Sequence, residues 1–298
     1  MAVQIDPKSE DRPERNNDAQ GPALKPLRSR RSIKGNILDK ANQSARPTNA
    51  HAQTEINQEE RHGFYKTLFN RRDVRSQFKP DPIPDATLSR ILYAAHHAPS
   101  VGYMQPWNFI VIRSNEVRQK VHQDFCNAHQ EAEQQFDQPR QETYRNFKLE
   151  GILESPVNIC ITCDRSRTGK TVIGRTQMSE MDLYSSVCAV QNFWLAARTE
   201  GLGVGWVSIL HHDVLRQTLK LPDSVVPIAY LCVGYVSHFA NQPDLQKAGW
   251  LPRLPLEQLV AFDQWGQQAD DSQQSLIDQI QQDQPFPHSF NSTGADNE

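Results

Sequence analysis

Leu183-Tyr184-Ser185-Ser186-Val187-Cys188-Ala189-Val190-Gln191-Asn192-Phe193-Trp194-Leu195-Ala196-Ala197 is followed shortly by Glu200-Gly201-Leu202-Gly203-Val204-Gly205-Trp206. From a start at Ser179 and Glu180, the residues Leu183, Val187, Val190, Phe193, Trp194 and Ala197 recur at helical spacing and make the segment apolar on more than one face. Gly201 and Gly203 stop it. A helix apolar over so much of its circumference is central, and either its own domain or a second subunit must cover it. Gly205-Trp206-Val207-Ser208-Ile209 then reads as a strand edge.

Working outward, a helix is expected over Gln58–Phe69 and another from an Asp85 cap to His97, with Leu88, Ile91, Leu92 and Ala95 at helical spacing. Pro80, Pro82 and Pro84 make an extended crossing between them, and Ala98-Pro99-Ser100-Val101-Gly102 breaks the second helix. Trp107–Arg113, Val157–Cys163 and Pro227–Tyr235 read as strands. Residues 115–148 are helical in pattern, interrupted at Pro139 and polar, which makes them a candidate lid. A short helix covers Asp213–Leu219. Strands alternate with helices, but the long helices come in blocks, so the fold class is α+β: a mainly antiparallel sheet in a sandwich with helices around it.

Residues 1–60 contain no Phe, Tyr or Trp, and they read as a disordered polar N-terminal extension. Residues 267–298 read as a Gln-rich flexible tail, which leaves one domain over 61–266. The formal net charge of −3 gives no electrostatic reason to expect nucleic acid, and the basic cluster Lys25–Lys34 reads as a solvated tail. With no apolar run long enough to span a bilayer and no secretory signal core, no membrane is expected and the cytoplasm is the default. Cys160 and Cys163 lie three apart on a buried strand, so their sulfurs face opposite ways. The adjacent pairs His96-His97 and His211-His212 lack ligand spacing and read as packing and surface residues, so no metal is expected.

Arg71-Arg72-Asp73-Val74-Arg75 concentrates three guanidiniums at a helix exit. Their forked donors match phosphate oxygens, each charge-assisted contact being worth roughly 1.5–3 kcal/mol. Downstream stand Ala98-Pro99-Ser100, Gln105-Pro106-Trp107-Asn108-Phe109, the glycine-rich run at 201–205 and Pro252-Arg253-Leu254. In this order and spacing they resemble the nitroreductase-type flavoproteins across residues 61–266. The resemblance implies an FMN-binding homodimer with the flavin at the subunit interface. Arg71, Arg72, Arg75 and Arg253 would clamp the flavin phosphate, Ser100 and Asn108 would contact the flavin, and Gly205 in the glycine-rich segment would let backbone approach the ring. Arg30-Arg31-Ser32 imitates the family's opening motif, but it lies about 65 residues before Ala-Pro-Ser, and that spacing rejects it.

Two departures refine the resemblance. Asp73 stands where ordinary members carry Ser, and Ser208 follows Gly205-Trp206-Val207. Both are similar to the branch that fragments reduced FMN with O₂ into 5,6-dimethylbenzimidazole and a sugar phosphate, with Asp73 and Ser208 as its catalytic pair. Neighbouring arginines are expected to keep Asp73 ionised. A flavin consumed as substrate implies a separate reductase to supply it. The alternatives are an NAD(P)H-dependent FMN nitroreductase or dehalogenase, and a non-catalytic flavin-binding module.

Overall fold

A computed structural model describes residues 55–169 and 171–283. The expectations placed on residues 1–54 and 284–298, including the basic cluster and the rejected Arg-Arg-Ser opening, lie outside the described residues. Helix α1 (Gln58–Asn70) begins with a reciprocal cap: the Asn57 side chain accepts the Glu60 N–H, and the Glu60 carboxylate accepts the Asn57 N–H. Then come α2 (Asp85–His96), β1 (Trp107–Ile112), α3 (Asn115–Glu133), α4 (Gln138–Arg145), β2 (Val157–Asp164), α5 (Met181–Thr199) and β3 (Leu202–Val207). They are followed by α6 (His212–Leu219), β4 (Val225–Tyr235), α7 (Asp244–Lys247) and, within the stretch read as a tail, α8 (Gln274–Gln282). Pro139 does not interrupt a helix. It opens α4, where a missing N–H breaks no hydrogen bond. Gly201 alone ends α5, at φ 77°, and Gly203 lies inside β3.

The four strands form one antiparallel sheet in the order β1-β2-β4-β3. Period-two alternation sends Ile159, Ile161, Leu231, Val233, Leu202 and Val204 to one face, against α2 and α5. It sends Cys160, Tyr230, Cys232 and Val207 to the other, against α3 and α6. Cys160 and Cys163 thus diverge as expected: Cys160 joins the α3 side, while Cys163 meets Ser186 of α5. Because Val121 and Phe125 are buried in the second cluster, α3 forms a layer of the sandwich and is not a free lid. The α5 helix is central as read, with Ala189, Val190, Phe193 and Ala197 almost fully covered, yet Tyr184 (52 %) and Val187 (42 %) remain exposed. Among the described residues, no helix is long and apolar enough to cross a membrane.

Candidate active site

The chain leaving α1 runs beside β3, where Asp73 bridges Val204 in parallel and the Val74 N–H donates to the Val204 carbonyl at 3.0 Å. A two-point grip on one residue of β3 results. The Trp206 N–H donates to Asp73 Oδ1 at 3.0 Å, and Arg75 Nη2 donates to the Trp206 carbonyl at 2.6 Å while pairing with Asp73 Oδ2 at 2.5 Å. Asp73 is thereby fixed on Trp206, two residues before Ser208, which stands exposed just past the end of β3.

Gly205 permits this approach. A Cβ there would lie 2.2 Å from the Val74 carbonyl oxygen and 2.6 Å from Arg75 Nη1. The Cβ side of Gly205 is therefore taken up by the chain's own Val74 and Arg75. Gly205→Ala is expected to push residues 74–75 away, at a stability cost of about 1–3 kcal/mol. That corresponds to a melting temperature several degrees lower, with loss of the Asp73–Trp206 bond. An unchanged melting curve by circular dichroism would contradict this account.

Asp73 keeps 42 % of its side-chain surface and so is reachable from solvent, although protein crowds around it. That crowding raises its pKa above the ordinary carboxylate value, against the pull of Arg75, the Trp206 N–H and Arg71, and Asp244 pushes in the same direction as burial. The neighbouring cations do pull towards the charged form, as expected, but desolvation is the larger influence on the shift.

Arg71 lies with its guanidinium carbon 4.8 Å from the centre of the Trp194 ring, and burial lowers its pKa, with Arg253 adding repulsion. Burial also lowers Arg72, helped by Arg71, Arg253 and Arg198. Fold topology thus gathers Arg253 and Arg198 around the Arg71-Arg72 pair, concentrating positive charge for an anion. Arg72 spends its terminal nitrogens on the Phe69, Arg71 and Asn241 carbonyls, while its Nε, like Arg75 Nη1, is buried without a hydrogen-bond partner. Unmet buried donors cost about 1–3 kcal/mol each, so the cluster fits a bound phosphate and polar ring edge of the FMN kind.

Ser100 and Asn108 lie elsewhere. The Ser100 hydroxyl accepts the Gln105 N–H at 3.0 Å across a turn in which Gly102, Tyr103 and Gln105 all have positive φ. Asn108 Oδ1 accepts from Arg167, which also donates to the Gln105 and Trp107 carbonyls. β1 and β3 are opposite edges of the sheet, so Asn108 and Asp73 are four strand spacings apart. At ~4.8 Å per spacing, that is on the order of 20 Å across the sheet. One chain does not bring the two sets of candidates together.

Sequence reading missed Arg198, Trp194, Arg167 and the backbone of Trp206. Only strand pairing and helix packing bring them to their partners, and none has a local signature. It also passed over His211, whose ring lies between Asp124 and Glu131. Among the described residues, no group of His, Cys, Asp and Glu could hold a metal ion.

The model of the nitroreductase family matches residues 68–235. The chain belongs to the nitroreductase family. Within this family it is 40 % identical over 187 residues to a 5,6-dimethylbenzimidazole synthase of Rhodospirillum rubrum, an alignment spanning 62 % of this chain and 87 % of that one. It is 34 % identical over 200 residues to a protein of the same name from Rhodobacter capsulatus, covering 67 % and 96 %. Among solved structures, an iodotyrosine deiodinase bound to FMN and 3-iodo-L-tyrosine superposes with a TM-score of 0.55 at 19 % identity, covering 68 % of this chain and 100 % of the other. The NADPH:FMN oxidoreductase of Vibrio harveyi gives 0.53 at 20 %, covering 74 % and 85 %. At such identities the likeness establishes the nitroreductase fold.

Proposed function

We propose that this chain takes reduced FMN and O₂ as substrates and fragments the flavin into 5,6-dimethylbenzimidazole, the lower-ligand base of cobalamin, and a sugar phosphate. The observation that carries the reading is Asp73: a carboxyl of raised pKa, held on the Trp206 N–H, two residues before Ser208 in sequence, and next to a half-buried arginine cluster. The likeness to relatives named for this activity supports it.

Reduced flavin supplies the electrons and the ring that O₂ attacks; the chain supplies grip and protons. Arg71, Arg72 and Arg253 would hold the phosphate, and the spare Arg75 Nη1 would reach a carbonyl or nitrogen of the ring. Asp73, poised nearer neutrality than an ordinary aspartate, moves protons where the ribityl chain joins the ring, and the Ser208 hydroxyl orients the oxidised edge. Trp194 and Trp206, with ring centres 6.4 Å apart, help keep water out. The chain works as a homodimer in the cytoplasm, fed by a separate flavin reductase. Dimerisation would cover the α5 stripe of Tyr184 and Val187 and set Ser100 and Asn108 of one protomer against Asp73 of its partner.

The test is product analysis after mixing purified protein with chemically reduced FMN and air. The expected result is 5,6-dimethylbenzimidazole with stoichiometric loss of FMN. Full recovery of oxidised FMN, with only peroxide formed, would overturn the proposal in favour of an FMN-retaining reductase or dehalogenase, or a flavin-binding module.

A further inference from the structure

Ser208 lies exposed between two anchors. One is β3 with its Asp73–Arg75 grip; the other is His211, at the N-terminal cap of α6. Asp124 of α3 holds His211 twice, its Oδ2 accepting the backbone N–H at 2.9 Å and its Oδ1 meeting ring Nδ1 at 2.8 Å. Glu131, two turns along the same helix, meets ring Nε2 at 2.9 Å. A carboxylate is only an acceptor, so two carboxylates on the two ring nitrogens require both to carry hydrogen. The arrangement is complete only with imidazolium.

We propose that His211 is a positioning residue for Ser208: a protonated clasp, closed between Asp124 and Glu131, that fixes the far end of the loop on which Ser208 stands. The inference rests on the reading of Ser208 under Proposed function. The two jaws differ. Asp124 is 4 % exposed and also bonds the backbone, whereas Glu131 is 67 % exposed and readily hydrated. Loss of the ring proton therefore opens the Glu131 jaw and leaves Asp124 on an Nδ1–H tautomer.

The ionisable groups around the ring are few. From α3 they are Asp124 and Glu131, since His129 is stacked on Tyr144. On α6, His212 and Asp213 follow in sequence, and Arg216 is engaged with the Val225 and Pro222 carbonyls. The hydrogen bonds to Asp124 and Glu131 raise the His211 pKa above its ordinary 6.5. A raised histidine value means that the clasp is fully present below that ordinary value and is lost as pH rises through the folded one.

The decisive experiment follows the Ser208 amide and the His211 ring by NMR through a pH titration of the full chain, alongside product formation. In the parent, the Ser208 amide should track His211, and kcat should fall on the alkaline side while the KM for reduced FMN, set by arginines that do not touch the His211 clasp, holds. Glu131→Leu, an exposed change that spares the fold, should leave the Ser208 amide in its high-pH position at every pH. Glu131→Gln should lower the His211 midpoint and flatten the Ser208 response, because a carboxamide can donate to bare Nε2. A Ser208 amide indifferent to His211 protonation, or a Glu131→Leu titration matching the parent, would overturn the clasp. If the amide tracks His211 but no variant or parent makes product, the clasp stands and the proposed reaction falls.

Discussion

Asp73→Asn is expected to lower 5,6-dimethylbenzimidazole formation by roughly 10²–10⁴-fold, the usual range for losing a general acid–base group. Asparagine keeps an oxygen to accept the Trp206 N–H and fills nearly the same volume, so that contact to β3 survives while the ion pair with Arg75 is lost. What disappears is a group able to take up and return a proton. FMN affinity should hold or increase, because removing the carboxylate leaves the positive field of Arg71 and its neighbours less opposed. The pH profile follows from the direction of the shift. A proton acceptor works only when ionised, and the Asp73 pKa is raised, so the acid limb of the parent activity should fall at higher pH than for an ordinary aspartate. That limb should vanish in the variant.

Stability should move the opposite way. A carboxyl whose pKa rises on folding favours the folded state most while protonated, and that contribution fades as pH climbs through its unfolded and then its folded value. At neutral pH, Asp73→Asn is therefore expected to raise the melting temperature while abolishing turnover, as when a working residue is held at the expense of the fold. A variant that melts earlier and still forms product at the parent rate would show Asp73 to be structural.

The sequence was readable where chemistry is local. The α2 and α5 patterns, the buried strands and the divergence of Cys160 from Cys163 all follow from periodicity, and the structure has them. The proposed catalytic residues were singled out for a different reason. Asp73 between arginines and Ser208 after Gly205-Trp206 are departures from a resembling pattern, visible without coordinates. What could not be read depends on pairing across the fold. Gly205 suggested an open backbone, but the vacant side belongs to Val74 and Arg75, which only the parallel bridge at Val204 brings there. His211 looked like half of an idle histidine pair, and nothing local links it to Asp124, 87 residues earlier. The upward direction of the Asp73 shift was missed because cations are visible in sequence and desolvation is not.

Subunit mixing should give the other large effect. The candidate residues fall into two sets, one at the β3 edge with Asp73 and one at the β1 edge with Asn108, separated by the width of the sheet. If one flavin needs both, a two-fold dimer can unite them by setting each protomer's β1 edge against its partner's β3 edge. Asp73→Asn and Asn108→Leu homodimers should then each be nearly inactive, every site carrying one defect. In a mixed dimer both defects fall on the same site, and the other site receives an intact Asp73 from one chain and an intact Asn108 from its partner. Random pairing makes half of the dimers mixed, each with one working site of two, so co-expressed variants should recover about a quarter of parent activity. Recovery from near zero to that level is possible only through shared sites. Product formation no higher than the mean of the two inactive parents, with mixed dimers confirmed by mass, would place each complete site within a single chain and leave Ser100 and Asn108 as braces of the Gln105 turn.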